Sequence, residues 1–524
     1  MKGKSLLALA LVSVLATTAT TANATTDKSR PNVLAIWGDD IGIDNLSAYT
    51  RGQAGHWTPN IDRIANEGVL FTDFYGENSC TAGRSAFITG QHPIRTGLTK
   101  VGMPGATQGL RAEDPTIAVM LKDKGYMTGQ FGKNHLGDLD EHLPSNHGFD
   151  EFFGNLYHLN AEEEPEHSDY PKAPGFKKRF GPRGVIHSYG DGRIEDTGPL
   201  TKKRMETVDE EFLSATLNFI DKAHEKKKPF FVWFNSTRMH VWTHLKDESE
   251  GISNGGGLYG DGLVEHDGHV GQLLDKLDEL KIADNTIVTY TTDNGAEKLT
   301  WPDGGTSRFR GEKNSTWEGG FRVPAMMRFP GKIPAGSVAN KMASHNDWAP
   351  TFLAAAGNDT IVADLKKGKT LNGKHYKVHL DGYNMLPALK TGKANTANNI
   401  DWPRKAFFYA TDTGDISAVR VGDYKLMFSV NNCHGLETWM CSFEELRAPK
   451  MFNLRQDPYE IADHEAGGYD KWFIEHLPYM YMGAGATAQW LQTFKAFPPR
   501  QVPGSFSIDQ IVDKMQIWQN AQYK

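Results

Sequence analysis

Apolar residues in this chain gather into short, unbroken runs. Val33-Leu34-Ala35-Ile36-Trp37 is closed by Gly38-Asp39-Asp40, and similar runs recur at Phe230 to Phe234 and at Thr286 to Thr292, the last rich in β-branched residues. Runs this short, bounded by polar residues, predict buried strands. Between the last two, Leu263, Val270, Leu273, Leu274, Leu277 and Leu280 fall on one helical face. Strand alternating with helix predicts an α/β fold with a largely parallel sheet, whose ligand site lies beyond the carboxyl ends of the strands. Asp39-Asp40 and Asp293-Asn294 stand at two such ends.

After about residue 395 the texture changes. Ile416 to Val421, a Gly422-Asp423 turn and Tyr424 to Val430 predict an antiparallel hairpin. A helix carrying Trp490, Leu491 and Phe494 follows, then a proline-containing stretch and a last helix near Ile508 to Trp518. The expected organisation is a main domain over residues 30–395 and a smaller α+β domain over 396–524 that contains an antiparallel sheet. Residues 1–24 have the form of a secretory signal, with Lys2 and Lys4, an apolar run from Leu6 to Leu15 and Ala22-Asn23-Ala24 as the cleavage site. No other segment approaches the roughly 20 apolar residues of a membrane span. The expectation is a periplasmic or secreted protein, free of the membrane once the signal is removed.

The 524 residues, 39% of them hydrophobic, are enough for one large core and a smaller one. A net charge of −7 argues against nucleic acid or a polyanionic chain as a broad-surface partner, while a small anion in a local basic pocket stays compatible. Three cysteines is an odd count for an exported protein. If Cys80 is consumed chemically, Cys433 and Cys441 can pair across one loop, which would contribute about 2–3 kcal/mol.

Ser79-Cys80-Thr81-Ala82-Gly83-Arg84, leading into Ser85-Ala86-Phe87-Ile88-Thr89-Gly90, is the densest chemical signal. The spacing puts Cys80 and Arg84 one helical turn apart on one face, so the arginine can hold an anion or a polarised oxygen beside position 80. The stretch resembles the type I sulfatase signature, cysteine-x-proline/alanine-x-arginine. That resemblance implies that Cys80 is oxidised by a formylglycine-generating maturation enzyme to formylglycine, an aldehyde whose hydrate is the nucleophile. Ala82 stands where proline is commoner, which leaves open which maturation system acts.

Further motifs extend the resemblance from about Pro31 to Glu460. Three carboxylates and an amide oxygen, from Asp39, Asp40, Asp293 and Asn294, suit a hard divalent cation; in the family these positions hold calcium, which also contacts residue 80. Gly132-Lys133-Asn134-His135-Leu136-Gly137 is similar to a family segment in which Lys133 binds sulfate and His135 contacts the aldehyde hydrate. A Lys and a His two apart on an extended loop would point the same way. After Phe230 to Phe234 the family places a catalytic histidine, usually following proline. His240 occupies that position although Met239 replaces the proline, and His244 is the alternative. The segment from Phe309 to Pro324 resembles another family element, in which Lys313 reaches the sulfate and the leaving oxygen, with Trp317, Glu318 and Arg322 structural. Met451 to Glu460 resembles a structural turn of the family.

What the resemblance implies is an alkaline-phosphatase-like α/β sulfohydrolase of the arylsulfatase type, acting on a small-molecule or saccharide sulfate ester with calcium and Cys80-derived formylglycine. One hydroxyl of an aldehyde hydrate attacks sulfur and the other later expels sulfate, which a serine could not do. Arg84 would polarise the hydrate, Lys133, Lys313 and His240 would stabilise the sulfuryl oxygens, His240 or Lys313 would protonate the leaving oxygen, and His135 would deprotonate the remaining hydroxyl. Two other readings use the same residues. One is a phosphodiesterase or phosphonate monoester hydrolase of the same superfamily, separated by comparing sulfate with phosphodiester turnover. The other is a non-catalytic sulfated-glycan binding protein, separated by the chemical state of Cys80.

Overall fold

The computed structural model describes residues 30–392 and 401–506. The signal at 1–24 and the helix expected near 508–518 lie outside the described residues. A ten-stranded mixed sheet forms the main body. At its centre Thr286–Thr291, Asn32–Trp37, Phe230–Asn235, Met127–Gly132 and Glu151–Gly154 run parallel, side by side in that order. Val33 lies opposite Phe231 on one side and Ile287 on the other. Pairing turns antiparallel toward each edge, at Ala325–Arg328 and at Ile186–Tyr189.

Unbroken apolar runs are needed because both faces of the central strands are covered. Val33, Ala35, Trp37, Phe231 and Trp233 enter one core, and Leu34, Ile36, Val232 and Phe234 enter the other. The predicted helix is present as Gly257–Glu279, with Leu263, Val270, Leu273, Leu274 and Leu277 in the second core. It begins earlier than its apolar stripe because Asp303 Oδ2 accepts from the Tyr259 N–H at 3.1 Å, which satisfies a donor of its glycine-containing first turn.

The second sheet has four antiparallel strands, Ala406–Ala410, Ile416–Val421, Tyr424–Val430 and Glu444–Asn453, with the predicted hairpin at its centre. Helix Pro478–Gln492 packs on it, and Trp490 stacks on Phe408 at 4.4 Å between ring centroids. Phe494 falls just beyond, in a 3-10 turn over Thr493–Lys495.

A buried ionic cluster fastens this sheet to the main body. Lys425 reaches Glu318 at 3.2 Å and Glu460 at 2.7 Å, all three with fully buried side chains. Arg322 pairs with Glu318 at 2.6 Å, and the hydroxyls of Tyr75 and Tyr409 donate to it at 2.8 and 2.6 Å. Glu318, Arg322 and the turn ending at Glu460 are therefore braces between the domains. Burial, opposed by Lys425 and reinforced by Glu318, pushes the Glu460 carboxyl up to about 7. Replacing Lys425 by Met leaves Glu460 facing Glu318 with no cation of its own, since of the two carboxyls Arg322 pairs only with Glu318, and is expected to lower stability by about 3–5 kcal/mol. Urea unfolding checks this, and adding Glu460→Gln to the variant should recover part of the loss.

Candidate active site

The site forms where the helix Cys80–Thr89 meets the carboxyl ends of the central strands. Its first turn carries only small residues between Cys80 and Arg84, and a Cβ on Gly83 would sit 2.0 Å from the Asp293 carbonyl oxygen. Glycine is required at that approach. Cys80 and Arg84 share a face as their spacing predicts, and both are fully buried.

Arg84 donates from Nε and Nη2 to Asp293 Oδ2 at 3.1 and 2.9 Å, and from Nη2 to Asp39 Oδ1 at 3.3 Å. Its Nη1 donates to Asn235 Oδ1 and to the Lys133 carbonyl, both at 3.1 Å. Lys133 Nζ closes the group on Asp39 Oδ2 at 2.6 Å. Asp40, at φ 59°, turns its carboxylate among four partners. Oδ1 accepts from Asn294 Nδ2 at 2.7 Å and lies 3.8 Å from Cys80 Sγ, while Oδ2 accepts from Lys313 Nζ at 2.8 Å and faces His240 Nε2 at 3.4 Å. Lys313 also donates to Glu297 Oε2 at 2.9 Å.

One oxygen from each of Asp39, Asp40 and Asp293, with Cys80 Sγ, lies within 4.8 Å of the others, all buried. The Asn294 side-chain oxygen is buried there without a hydrogen-bond donor among the described residues. Clustered carboxylates beside an orphaned amide oxygen fit a hard divalent cation. Asp40, Cys80 and His240 form a second group within the same distance, but His240 Nε2 is 3.5 Å from the Lys313 ammonium, which leaves the oxygens as the donor set.

Burial, only partly offset by Lys133 and Lys313, pushes the Cys80 thiol well above its ordinary value. Burial works against the Lys313 ammonium, yet Asp40 and Glu297 raise it well above the usual lysine range. Burial, then Lys133 and Lys313, holds His240 well below the usual imidazole range; burial, then Lys133 and His158, does the same for His135. Burial, with Asp40 outweighing part of what Lys313 takes back, lifts the Glu297 carboxyl to about 8.

Contacts join Asp39, Asp40, Cys80, Arg84, Lys133, His240, Asp293, Asn294 and Lys313 into one cluster. His135 is tied to it through the neighbour of Cys80, since Thr81 Oγ1 donates to the His135 carbonyl at 3.0 Å. The expectation of an extended run at Lys133 to His135 is corrected: His135 has φ 56°, so the chain turns there and its Nε2 donates to the Gly102 carbonyl at 3.0 Å. His244 stands apart, its Nε2 2.6 Å from Glu163 Oε2 and its side chain 33% exposed.

Three residues of the site were missed by sequence reasoning. Asn235 ends a predicted strand and carries no charge to draw notice. Glu297 lies shortly after Asp293-Asn294, an acid that could have been read with that pair. His158 lies between two histidines that were named, parallel to His240 at 5.7 Å and edge-on to His135 at 5.4 Å. Its Nδ1 accepts from the Ala161 N–H at 3.2 Å, an N-cap role legible only with the helix Leu159–Glu163 in view. Burial, then Lys133 and Lys313, lowers it to about 3.

The sulfatase family model matches residues 31–358. N-acetylgalactosamine-6-sulfatase of Homo sapiens is 31% identical over 462 residues, covering 84% of this chain and 78% of the relative. Arylsulfatase A of Homo sapiens is 31% identical over 455 residues, 82% of each chain. Among solved structures, PsFucS1 sulfatase from Pseudoalteromonas sp. superposes with a TM-score of 0.78 at 28% identity, over 90% of this chain and 92% of that one. Phosphonate monoester hydrolase of Agrobacterium radiobacter shares the fold, with a TM-score of 0.54 at 19% identity over 89% and 96%. A family match that spans the strands bearing Asp39, Lys133, Asn235 and Asp293, with relatives aligned over four-fifths of the chain, makes this protein a member of the sulfatase family and a hydrolase of sulfate esters.

Proposed function

We propose that Cys80 is converted to formylglycine and that the protein, exported to the periplasm or beyond, hydrolyses saccharide or aryl sulfate monoesters with a calcium ion held by Asp39, Asp40, Asp293 and Asn294. The observation that carries this reading is the state of Cys80. Its sulfur touches the acidic cluster, yet burial keeps it a neutral thiol, a weak nucleophile at the centre of a site built around that position. A hydrated aldehyde there supplies two hydroxyls on one carbon, one to attack sulfur and one to expel sulfate. Calcium supplies positive charge to the ester oxygens and offsets the carboxylates. The name of the N-acetylgalactosamine-6-sulfatase relative supports a sulfated sugar as substrate.

The chain's own residues divide the remaining work. Lys133 and Lys313 carry the positive charge that meets the sulfuryl oxygens. His240 Nδ1 donates to the Val241 carbonyl, so Nε2 is a bare acceptor beside the Lys313 ammonium at 3.5 Å. Lys313 is thus the protonated group of the pair, and it delivers the proton to the leaving oxygen directly or through His240. His135 donates from Nε2, so its Nδ1, buried and without a partner among the described residues, keeps the lone pair that a general base needs.

Mass analysis of the peptide around Cys80 from active protein should show the aldehyde or its hydrate. A uniformly free thiol with full sulfatase activity would end this mechanism. Activity against a phosphodiester that exceeded activity against sulfate esters would shift the substrate class instead.

Asp293→Ala removes a proposed metal ligand and the main partner of a buried guanidinium. Turnover is expected to fall at least a hundredfold and stability by about 3–5 kcal/mol, and strong chelation of the intact enzyme should also abolish turnover. Unchanged activity after both treatments would exclude the metal.

The leaving group separates the acid from the spectators. A sugar alkoxide needs a proton in the transition state and an activated nitrophenolate does not. Lys313→Met and His240→Ala should each slow sugar sulfates at least tenfold more than nitrophenyl sulfate, and His244→Ala should slow both alike. Equal losses for Lys313→Met, with a graded loss for His240→Ala, would return the acid role to the imidazole.

A further inference from the structure

The loop closed by the Cys433–Cys441 disulfide belongs to the smaller domain in sequence but sits on the active-site segment of the larger one. The Asn314 side-chain amide donates to the Thr438 carbonyl at 3.0 Å, and Glu312 Oε1 accepts from the Gly435 N–H at 3.2 Å and lies 3.5 Å from His434 Nδ1. These contacts flank Lys313 on both sides. They bring Trp439, at the end of the 3-10 turn Gly435–Trp439, to where its ring centroid is 5.9 Å from the Lys313 ammonium.

Trp439 differs from a tryptophan placed for packing. It is only half-buried, in a loop whose other large apolar side chains, Leu436 and Met440, are 52% and 73% exposed. Its indole N–H has no partner among the described residues; the same holds for Trp37, Trp233, Trp301 and Trp348, but those rings are buried in the core, whereas Trp439 carries its spare donor on a half-buried ring. An apolar ring with a spare donor, one residue-width from a buried ammonium, matches a ligand with an anionic end, a flat C–H face and hydroxyls around it.

We propose that Trp439 is the platform on which the sugar ring of a sulfated saccharide stacks, its N–H donating to a ring hydroxyl while Lys313 holds the sulfate. This rests on the sulfate-ester reading above and adds to it that the disulfide loop selects a pyranose over a nitrophenyl ring, which offers no hydroxyl to the indole. The disulfide and the contacts to Glu312 and Asn314 hold the platform at a fixed distance from the ammonium, so less ordering is needed on binding.

The test compares wild type with Trp439→Ala and Trp439→Phe on a hexose monosulfate, on nitrophenyl sulfate and on inorganic sulfate as a competitive inhibitor. For Trp439→Ala the saccharide KM should rise about tenfold, the size of one good aromatic contact, with kcat within twofold and the inhibition constant of inorganic sulfate unchanged. Trp439→Phe keeps a stacking face without the donor and should recover part of the saccharide KM. An unchanged saccharide KM overturns the proposal, as does a sulfate constant that weakens in step, because Trp439 would then act through the charge of Lys313. A larger KM effect on nitrophenyl sulfate than on the saccharide overturns the choice of sugar. Wild-type protein that turned over no sulfate ester would refute the sulfate-ester reading itself; Trp439 would then be judged by calorimetric affinity for the hexose monosulfate in Cys80→Ala and in the Cys80→Ala, Trp439→Ala double variant, where equal affinities refute the platform.

Discussion

The buried guanidinium of Arg84 ties together the ends of four adjacent parallel strands. Asp293 follows Thr286–Thr291, Asp39 follows Asn32–Trp37, Asn235 ends Phe230–Asn235 and Lys133 follows Met127–Gly132, and Arg84 donates to all four residues. Parallel strands in one register bring their carboxyl ends to one edge, which concentrates carbonyl and carboxylate oxygens there. A planar cation with several donors in fixed directions is suited to spanning that edge. Arg84 reaches it because the first turn of its helix has no side chain at Gly83, where the Asp293 carbonyl would be struck. The four-residue spacing from Cys80 to Arg84 is therefore a folding constraint as well as a chemical one: the same close approach that seats the arginine delivers position 80 to the acidic cluster.

Charge in the site is balanced by pairing rather than by solvent. Asp39 and Asp293 meet Arg84 and Lys133, and Asp40 meets Lys313. Buried charges of one sign without such partners would be neutralised or would unfold the edge of the sheet. Glu297 shows that pressure, since beside Asp40 its carboxyl is lifted to about 8, burial being the main cause. This local pairing lets a chain with a net charge of −7 keep three buried cations, Arg84, Lys133 and Lys313, in one pocket.

Three central strands of the main sheet and the hairpin were legible in the sequence because each rests on a local signal: unbroken apolar runs for strands buried on both faces, and two short runs joined by a Gly-Asp turn for the hairpin. The charged site residues were legible as motifs, through acids that end strands and basic residues at fixed spacings. What stayed hidden depends on distance along the chain. His158 is meaningful only because the fold places it between His135 and His240, and Asn235 only because a side chain from residue 84 crosses to it. The turn at His135 was misread as extended because a non-glycine residue at positive φ has no signature in a single sequence. Trp439 was passed over for a similar reason: nothing in its own loop marks it as functional, and its place beside Lys313 comes from the docking of one domain on the other.

Three buried imidazoles in mutual contact, all under the field of nearby ammonium groups, constrain where protons can reside. His135, His158 and His240 are all held below the usual imidazole range, burial first and the lysines next, so none of them stores a proton near neutrality. Their hydrogen bonds also assign lone pairs: Nδ1 of His135 has no partner among the described residues, Nδ1 of His158 is committed to the Ala161 N–H, and Nε2 of His240 faces Lys313. In the proposed mechanism the proton for the departing alcohol comes from Lys313 and the proton of a hydroxyl at position 80 goes to His135, with His158 between the two histidines that flank these steps, so the giving and the taking group are separate as a two-stage hydrolysis would require. That separation depends on both lysines keeping their carboxylate partners, and so on the strand edge that Arg84 holds together.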